Sequence, residues 1–162
     1  MPEVSRFTIS IFVPGENPYR KGVQPNVPWT GMVEHVVEAG STRFAPESFE
    51  AKPDVGPEGF FAVEMRVGRV LAVEPFPEMR KPSLKVKVDF GPRGVLWTSA
   101  QIADHDPSAL LGRLVVGAVN LGERRLPTGF MSQFLLLGGL HPDGRVGLLS
   151  APEDLPLGAI VG

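Results

Sequence analysis

Residues 84–90, Leu-Lys-Val-Lys-Val-Asp-Phe, alternate without a break between apolar and charged side chains. A period of two over seven residues admits a β-strand and excludes an amphipathic helix. Leu84, Val86, Val88 and Phe90 require a core on one side, while Lys85, Lys87 and Asp89 face the other way. Arg80-Lys81 precede the strand in a turn that contains Pro82. This makes a cationic ridge on a rigid scaffold, suited to an anionic partner such as nucleic acid. Its plainer use is to keep an edge strand from pairing with other sheets.

The punctuation of the chain favours more such strands. Nineteen glycines and 17 prolines in 162 residues leave little room for long helices and suit short strands joined by turns. Strand patterns run over Met65–Val73, where Gly68 is the expected bulge, then Leu84–Phe90 and Val95–Thr98. Trp97, near the end of the third, is expected in the core. Leu114–Asn120, apolar on both faces, is the fourth, Phe134–Leu137 the fifth, and Val146–Leu149 a sixth candidate. One helix signal stands out at 106–112, where Asp106 can cap, Pro107 opens the first turn and Gly112 permits the exit. The expectation is an all-β chain whose three strands, short helix and two strands follow the order of a five-stranded OB-fold barrel.

Residues 1–59 read differently. They hold eight of the prolines and two strand patterns, one at Phe7, Ile9, Ile11 and Val13, the other over Met32–Ala39. Prolines 14, 18, 25 and 28 make the stretch between them an irregular loop. Two strands cannot build a core. Residues 1–59 are therefore expected to be a Pro-rich, partly β extension packed on the barrel of residues 60–162 or on a second subunit.

Charge and composition exclude several classes. The net charge is -2; residues 1–59 carry five Lys/Arg against eight Asp/Glu and residues 60–162 eleven against ten. Any nucleic-acid site must then be a local patch, built from Arg80, Lys81, Lys85 and Lys87 with Arg124 and Arg125. The absence of cysteine removes disulfides, thiolate metal sites and a thiol nucleophile. His35, His105 and His141 share no ligand spacing, and His105 suits a loop or cap. Gly91-Pro92-Arg93-Gly94 and Gly138-Gly139 are turns without the strand-to-helix setting of a phosphate loop. No catalytic residue, metal or cofactor is expected. No apolar run approaches the ~20 residues that span a bilayer, and the amino terminus lacks the pattern of a signal peptide. No membrane insertion and a cytoplasmic location are expected.

Five segments carry a resemblance. Met65–Val70, Pro75–Pro82, Thr98–Ile102, Ala118–Leu121 and Gly129–Gln133 occur in an order that resembles EMAP-type tRNA-binding domains, and among them the CsaA-like chaperones. The resemblance covers residues 60–162. It implies an OB-fold domain, usually a homodimer, that binds tRNA through shape and backbone or binds unfolded polypeptide. Carried over by position, Arg80, Lys81, Lys85 and Lys87 match the family's cationic side, and Ser99, Gln101, Asn120, Met131 and Ser132 match motifs around its binding surface. The chain departs from the pattern at Gln133, where the family commonly has Glu, and at Gly122-Glu123, where relatives tend to have prolines.

Elementary chemistry stands beside the resemblance. Ser99, Gln101, Asn120 and Ser132 offer donors and acceptors for ribose, base edges or peptide, or else tie down turns. Phe130, Met131 and Phe134 could form an adaptable apolar surface for peptide, or serve core and dimer packing. Arg124-Arg125 follows the fourth strand, where phosphate contacts or a solvated loop both fit. Tyr19 and Trp29 could stack on bases if the extension reached them. Leu155, Leu157, Ile160 and Val161 could supply a dimer contact. The favoured reading is a non-catalytic binding protein of the CsaA-like kind that takes unfolded or export-bound polypeptide, with tRNA as a further partner. The alternative is a dedicated tRNA-binding module or synthetase accessory.

Overall fold

A computed structural model of the chain describes residues 44–162 in full and, as backbone, residues 7–12 and 32–37. In the latter, β1 (Phe7–Phe12) and β2 (Met32–Val37) pair antiparallel, Phe7 opposite Val37 and Phe12 opposite Met32. The expected loop between them, with Tyr19 and Trp29, lies outside the described residues. Past it come α1 (Gly56–Phe61), β3 (Met65–Pro75), β4 (Leu84–Asp89), β5 (Val95–Ala100), α2 (Pro107–Leu110) and β6 (Leu114–Ala118). Short strands complete the chain: β7 (Arg124–Arg125), β8 (Met131–Ser132), β9 (Leu135–Leu136), β10 (Gly138–Leu140), β11 (Val146–Leu148) and β12 (Ile160–Val161).

The main sheet runs β5-β4-β3-β6-β9, with β12 added beside β3. β3 is the hub, because its first half pairs with β6 and its second half with β4. Its register against β4 slips between Val70 and Ala72, so the bulge falls at Leu71 and not at Gly68. Gly68 pairs in register with Val115 and serves another purpose. A Cβ there would lie 2.4 Å from Val88 Cγ1 and 2.6 Å from Phe90 Cδ1, and one at Gly117 would lie 2.7 Å from Phe90 Cζ. The two bare backbones make the space that the Phe90 ring fills.

Closure comes from the far edge. Gln133 N donates to Trp97 O at 2.8 Å, and the Thr98 hydroxyl donates to Phe134 O at 2.7 Å, drawing β5 toward the segment that leads into β9. The sheet becomes a nearly closed five-stranded antiparallel barrel of the OB-fold kind. Inside it Leu84, Val86, Val88 and Phe90 pack with Val70, Ile102, Leu110, Val115, Val119 and Phe134. Phe90 meets Phe134 edge to face at 4.9 Å. Each such side chain stabilises the fold by about 1.5–3 kcal/mol through burial.

The helices are single turns or little more. Asp106 caps α2 as expected, accepting from Ser108 N at 2.9 Å and from the Ser108 hydroxyl at 2.8 Å. Those two hydrogen bonds hold its carboxyl below the usual carboxylate pKa. α1 was not expected, since its sequence Gly-Pro-Glu-Gly reads as a breaker; Pro57 in its first turn starts it and it ends after six residues. Before it, Phe44 and Ala45 are buried, and Phe44 N donates to Pro142 O at 3.0 Å.

Candidate nucleic-acid interface

The register of β4 on β5 sets the outer face. Lys85 lies opposite Ser99 and Lys87 opposite Trp97, so all four side chains point to the same side. Trp97 is thus a surface residue, contrary to the expectation of a core position. The inward positions of β5 are Leu96, Thr98 and Ala100, and alternation turns the half-buried indole out. Lys87 Nζ stands 5.5 Å from the Trp97 ring centroid. Lys85 Nζ stands 4.4 Å from that of Phe76 and 5.5 Å from that of Phe130.

The rings themselves are joined. Phe130 packs edge to face on Phe76 at 5.2 Å and on Trp97 at 6.4 Å. A notch of about 340 Å³ opens beside them, lined by Glu74, Lys85, Trp97, Phe130, Met131 and Gln133. Among the described residues, ion pairs join Arg66 and Arg93 to Glu64, Arg69 to Glu153 and Arg145 to Asp143, and neither Lys85 nor Lys87 takes part in these. Their ammonium groups rest on π faces, which attract a cation by about 0.5–1 kcal/mol at exposed sites without cancelling its charge.

A larger cavity, about 550 Å³, lies at the end of β5. Ser99, Gln101, Arg124, Arg125 and Ser132 line its polar side, and Ile102, Phe134, Leu136, Val146 and Leu148 its apolar side. Met79 and Ser83, from the loop that carries Arg80 and Lys81, close it from another direction. Arg124 and Arg125 form β7, paired with β8 so that Arg124 faces Ser132 and Arg125 faces Met131. Both arginines and Arg80 are exposed, and Lys81 is half-buried. Ser132 Oγ is 2.9 Å from Thr98 Oγ1, which ties β8 to β5.

Two of the candidate residues have other duties. Asn120 accepts from Glu64 N at 2.8 Å and donates to Ala62 O at 2.9 Å, so its amide pins the entry of β3 and lines neither hollow. Phe134, expected on a peptide-binding surface, is 4 % exposed and belongs to the core through Phe90. Phe130 and Met131 do lie at the notch, with Met131 37 % exposed. Sequence reasoning missed Phe76, and it marked Gln133 and Glu123 as departures without relating Glu123 to Gln133. Glu123 has a clear partner: Gln133 Nε2 donates to Glu123 Oε1 at 3.0 Å, while Gln133 Oε1 accepts from Trp97 N at 3.0 Å. The two departures from the family pattern therefore touch. His105 Nε2 lies 2.6 Å from Val146 O, and among the described residues no group of three His, Cys, Asp or Glu could hold a metal ion.

Comparison with known proteins follows the same lines. The family model "Putative tRNA binding domain" matches residues 65–160. The methionine–tRNA ligase of Clostridium acetobutylicum is 34 % identical over 113 residues, which cover 68 % of this chain and 17 % of the ligase. That of Archaeoglobus fulgidus is 28 % identical over 144 residues, or 85 % of this chain and 21 % of the ligase. The chain thus spans less than a quarter of either relative. Among solved structures, the chaperone CsaA of Bacillus anthracis aligns with a TM-score of 0.63 at 35 % identity, covering 69 % of this chain and all of that one. The MetRS related protein of Pyrococcus horikoshii aligns at 0.61 and 32 % identity, over 70 % of this chain and all of its own. With its barrel, its cationic outer face and a family match over more than half its length, the chain belongs to the tRNA-binding domain family.

Proposed function

We propose that this protein is a non-catalytic RNA-binding module that receives tRNA on the outer face of β4 and β5. One observation carries the reading: Lys85 and Lys87 are held on aromatic rings and, among the described residues, joined to no carboxylate, beside an exposed arginine pair. Phosphates supply the missing counter-charge, and their binding releases condensed ions from the RNA. Arg80, Lys81, Arg124 and Arg125 extend the contact around the end of β5, where Ser99, Gln101 and Ser132 offer polar groups to ribose or backbone. With four to six cations engaged, the log–log dependence of tRNA affinity on salt has a slope of about -3 to -5. A titration of purified protein with tRNA across a salt series measures it, and affinity independent of salt would refute the reading.

A second reading rests on the larger cavity, whose apolar side of Ile102, Leu136, Val146 and Leu148 suits an apolar segment of polypeptide. The likeness to CsaA, named a chaperone, supports it. Suppression of aggregation of a denatured client, unaffected by salt, is its signature. A homodimer fits either reading, because Phe61 and Ile160 are 71 % and 75 % exposed near β12, whose other edge pairs with no strand among the described residues. Residues 1–59 then pack on the barrel or on the second subunit, and the burial of Phe44 beside Pro142 favours the former. The work belongs in the cytoplasm, where tRNA is; among the described residues no helix is long and apolar enough to cross a membrane.

A further inference from the structure

We infer that the notch beside Trp97 takes a single unstacked nucleobase, so that the module reads a single-stranded segment of its RNA and not the paired stems alone. The inference rests on the proposed RNA-binding function and says which part of the RNA the same face engages. A paired stem presents phosphates and ribose hydroxyls, and lysines alone would suffice for it. The outer face of β4 and β5 offers more. Trp97 is half-buried on the outer face, Phe130 meets it edge to face at 6.4 Å, and the notch of about 340 Å³ between Lys85 and Met131 is open to solvent. Aromatic side chains beside cations are what unstacked bases use, the ring taking the base and the cation its phosphate.

The register supplies both in the right order. Lys87 lies directly opposite Trp97, and its Nζ stands 5.5 Å over the ring. When a base stacks on Trp97, the flexible lysine leaves the indole and takes the phosphate of that nucleotide. Gln133 holds the Trp97 backbone by two hydrogen bonds, its N donating to Trp97 O at 2.8 Å and its Oε1 accepting from Trp97 N at 3.0 Å, which fixes the platform in place. Glu74, facing Lys85 across β3 and β4, stands at the other wall, where its carboxylate can accept from an exocyclic amine of the base.

The chain has two tryptophans, so a Trp29→Phe variant reports on Trp97 alone. Titrated with a single-stranded RNA octamer rich in adenine and cytosine, its emission is expected to be quenched, with binding at least tenfold tighter than to an RNA duplex of equal phosphate count. Trp97→Leu is expected to weaken octamer binding about ten- to a hundredfold while leaving the salt slope unchanged. Lys87→Ala is expected to make that slope shallower by about 0.7. Equal affinity for duplex and octamer, or Trp97 emission unmoved at saturation, overturns the inference while salt-dependent tRNA binding leaves the wider reading intact. If no RNA of any kind binds, both fall together. If an uncharged apolar peptide quenches Trp97 and the octamer does not, the notch belongs to polypeptide and the inference is overturned.

Discussion

Two hollows share β5, and they are built of opposite materials. The notch is open and lined by the rings of Trp97 and Phe130 with the Lys85 ammonium and the Glu74 carboxylate. The larger cavity runs down to side chains of the core, Ile102 and Phe134 among them, under a rim of arginine and hydroxyl groups. The first can change occupant without disturbing the barrel, since its walls stand outside the core. The second cannot, because its floor is also the packing that holds β9 to the sheet. A binding surface made from outward rings is thermodynamically cheap to alter, and one made from core side chains is not.

The sharpest break between the two is at their phenylalanines. Phe134→Ala removes a ring from the core and is expected to cost about 3–5 kcal/mol, read from the urea midpoint, whereas Phe130→Ala at the half-buried notch is expected to cost markedly less on the same assay. Equal losses would mean that the notch is part of the core. Next in size, Lys85→Ala combined with Lys87→Ala is expected to lower tRNA affinity about tenfold near 0.1 M salt and flatten the log–log slope by about 1.4–1.8, with client aggregation unaffected. Loss of both activities would show one surface in place of two.

Smaller effects test the seam. Gln133→Glu sets a carboxylate 3.0 Å from Glu123 in place of an amide donor and is expected to cost about 1 kcal/mol, visible as a lower Tm. Glu123→Gln in the same chain is expected to recover it, and a double-mutant cycle measures the coupling. Smallest, Asp106→Ala is expected to leave both hollows unchanged and to lower stability at neutral pH, with variant and parent converging in acid. Hydrogen bonds from Ser108 lower the Asp106 pKa below its 3.8 reference, so its contribution is complete above that value and fades as pH falls through the folded pKa. The variant's stability is therefore expected to depend less on pH in that range than the parent's.

How far the sequence could be read depended on whether a residue's partners were near it in the chain. The two faces of β4 were legible because a strict alternation fixes them locally, and the burial of Leu84, Val86, Val88 and Phe90 follows it. The Asp106 cap was legible for the same reason, its partner being two residues away. Trp97 was not: Val95, Leu96 and Trp97 are all apolar, so no phase can be drawn from them. What turns Thr98 inward is a pair of hydrogen bonds to Ser132 and Phe134, 34 and 36 residues on. Asn120 likewise has its partners 56 and 58 residues upstream, and nothing beside it hints at them. Phe130 and Phe134 look alike in the sequence; only the position of Phe90 separates them.

The rings beneath Lys85 and Lys87 have a kinetic consequence. A long free side chain must give up rotamer freedom at the moment of contact, a cost of up to about 2 kcal/mol for lysine. A carboxylate partner would remove that freedom beforehand but would compete with the incoming phosphate. Phe76 restrains the Lys85 ammonium and leaves its field intact, while Lys87 rests on Trp97 until a base displaces it. Encounter with an anion then requires little searching by the protein, and the rate of capture is set by diffusion in that field and by the salt that screens it.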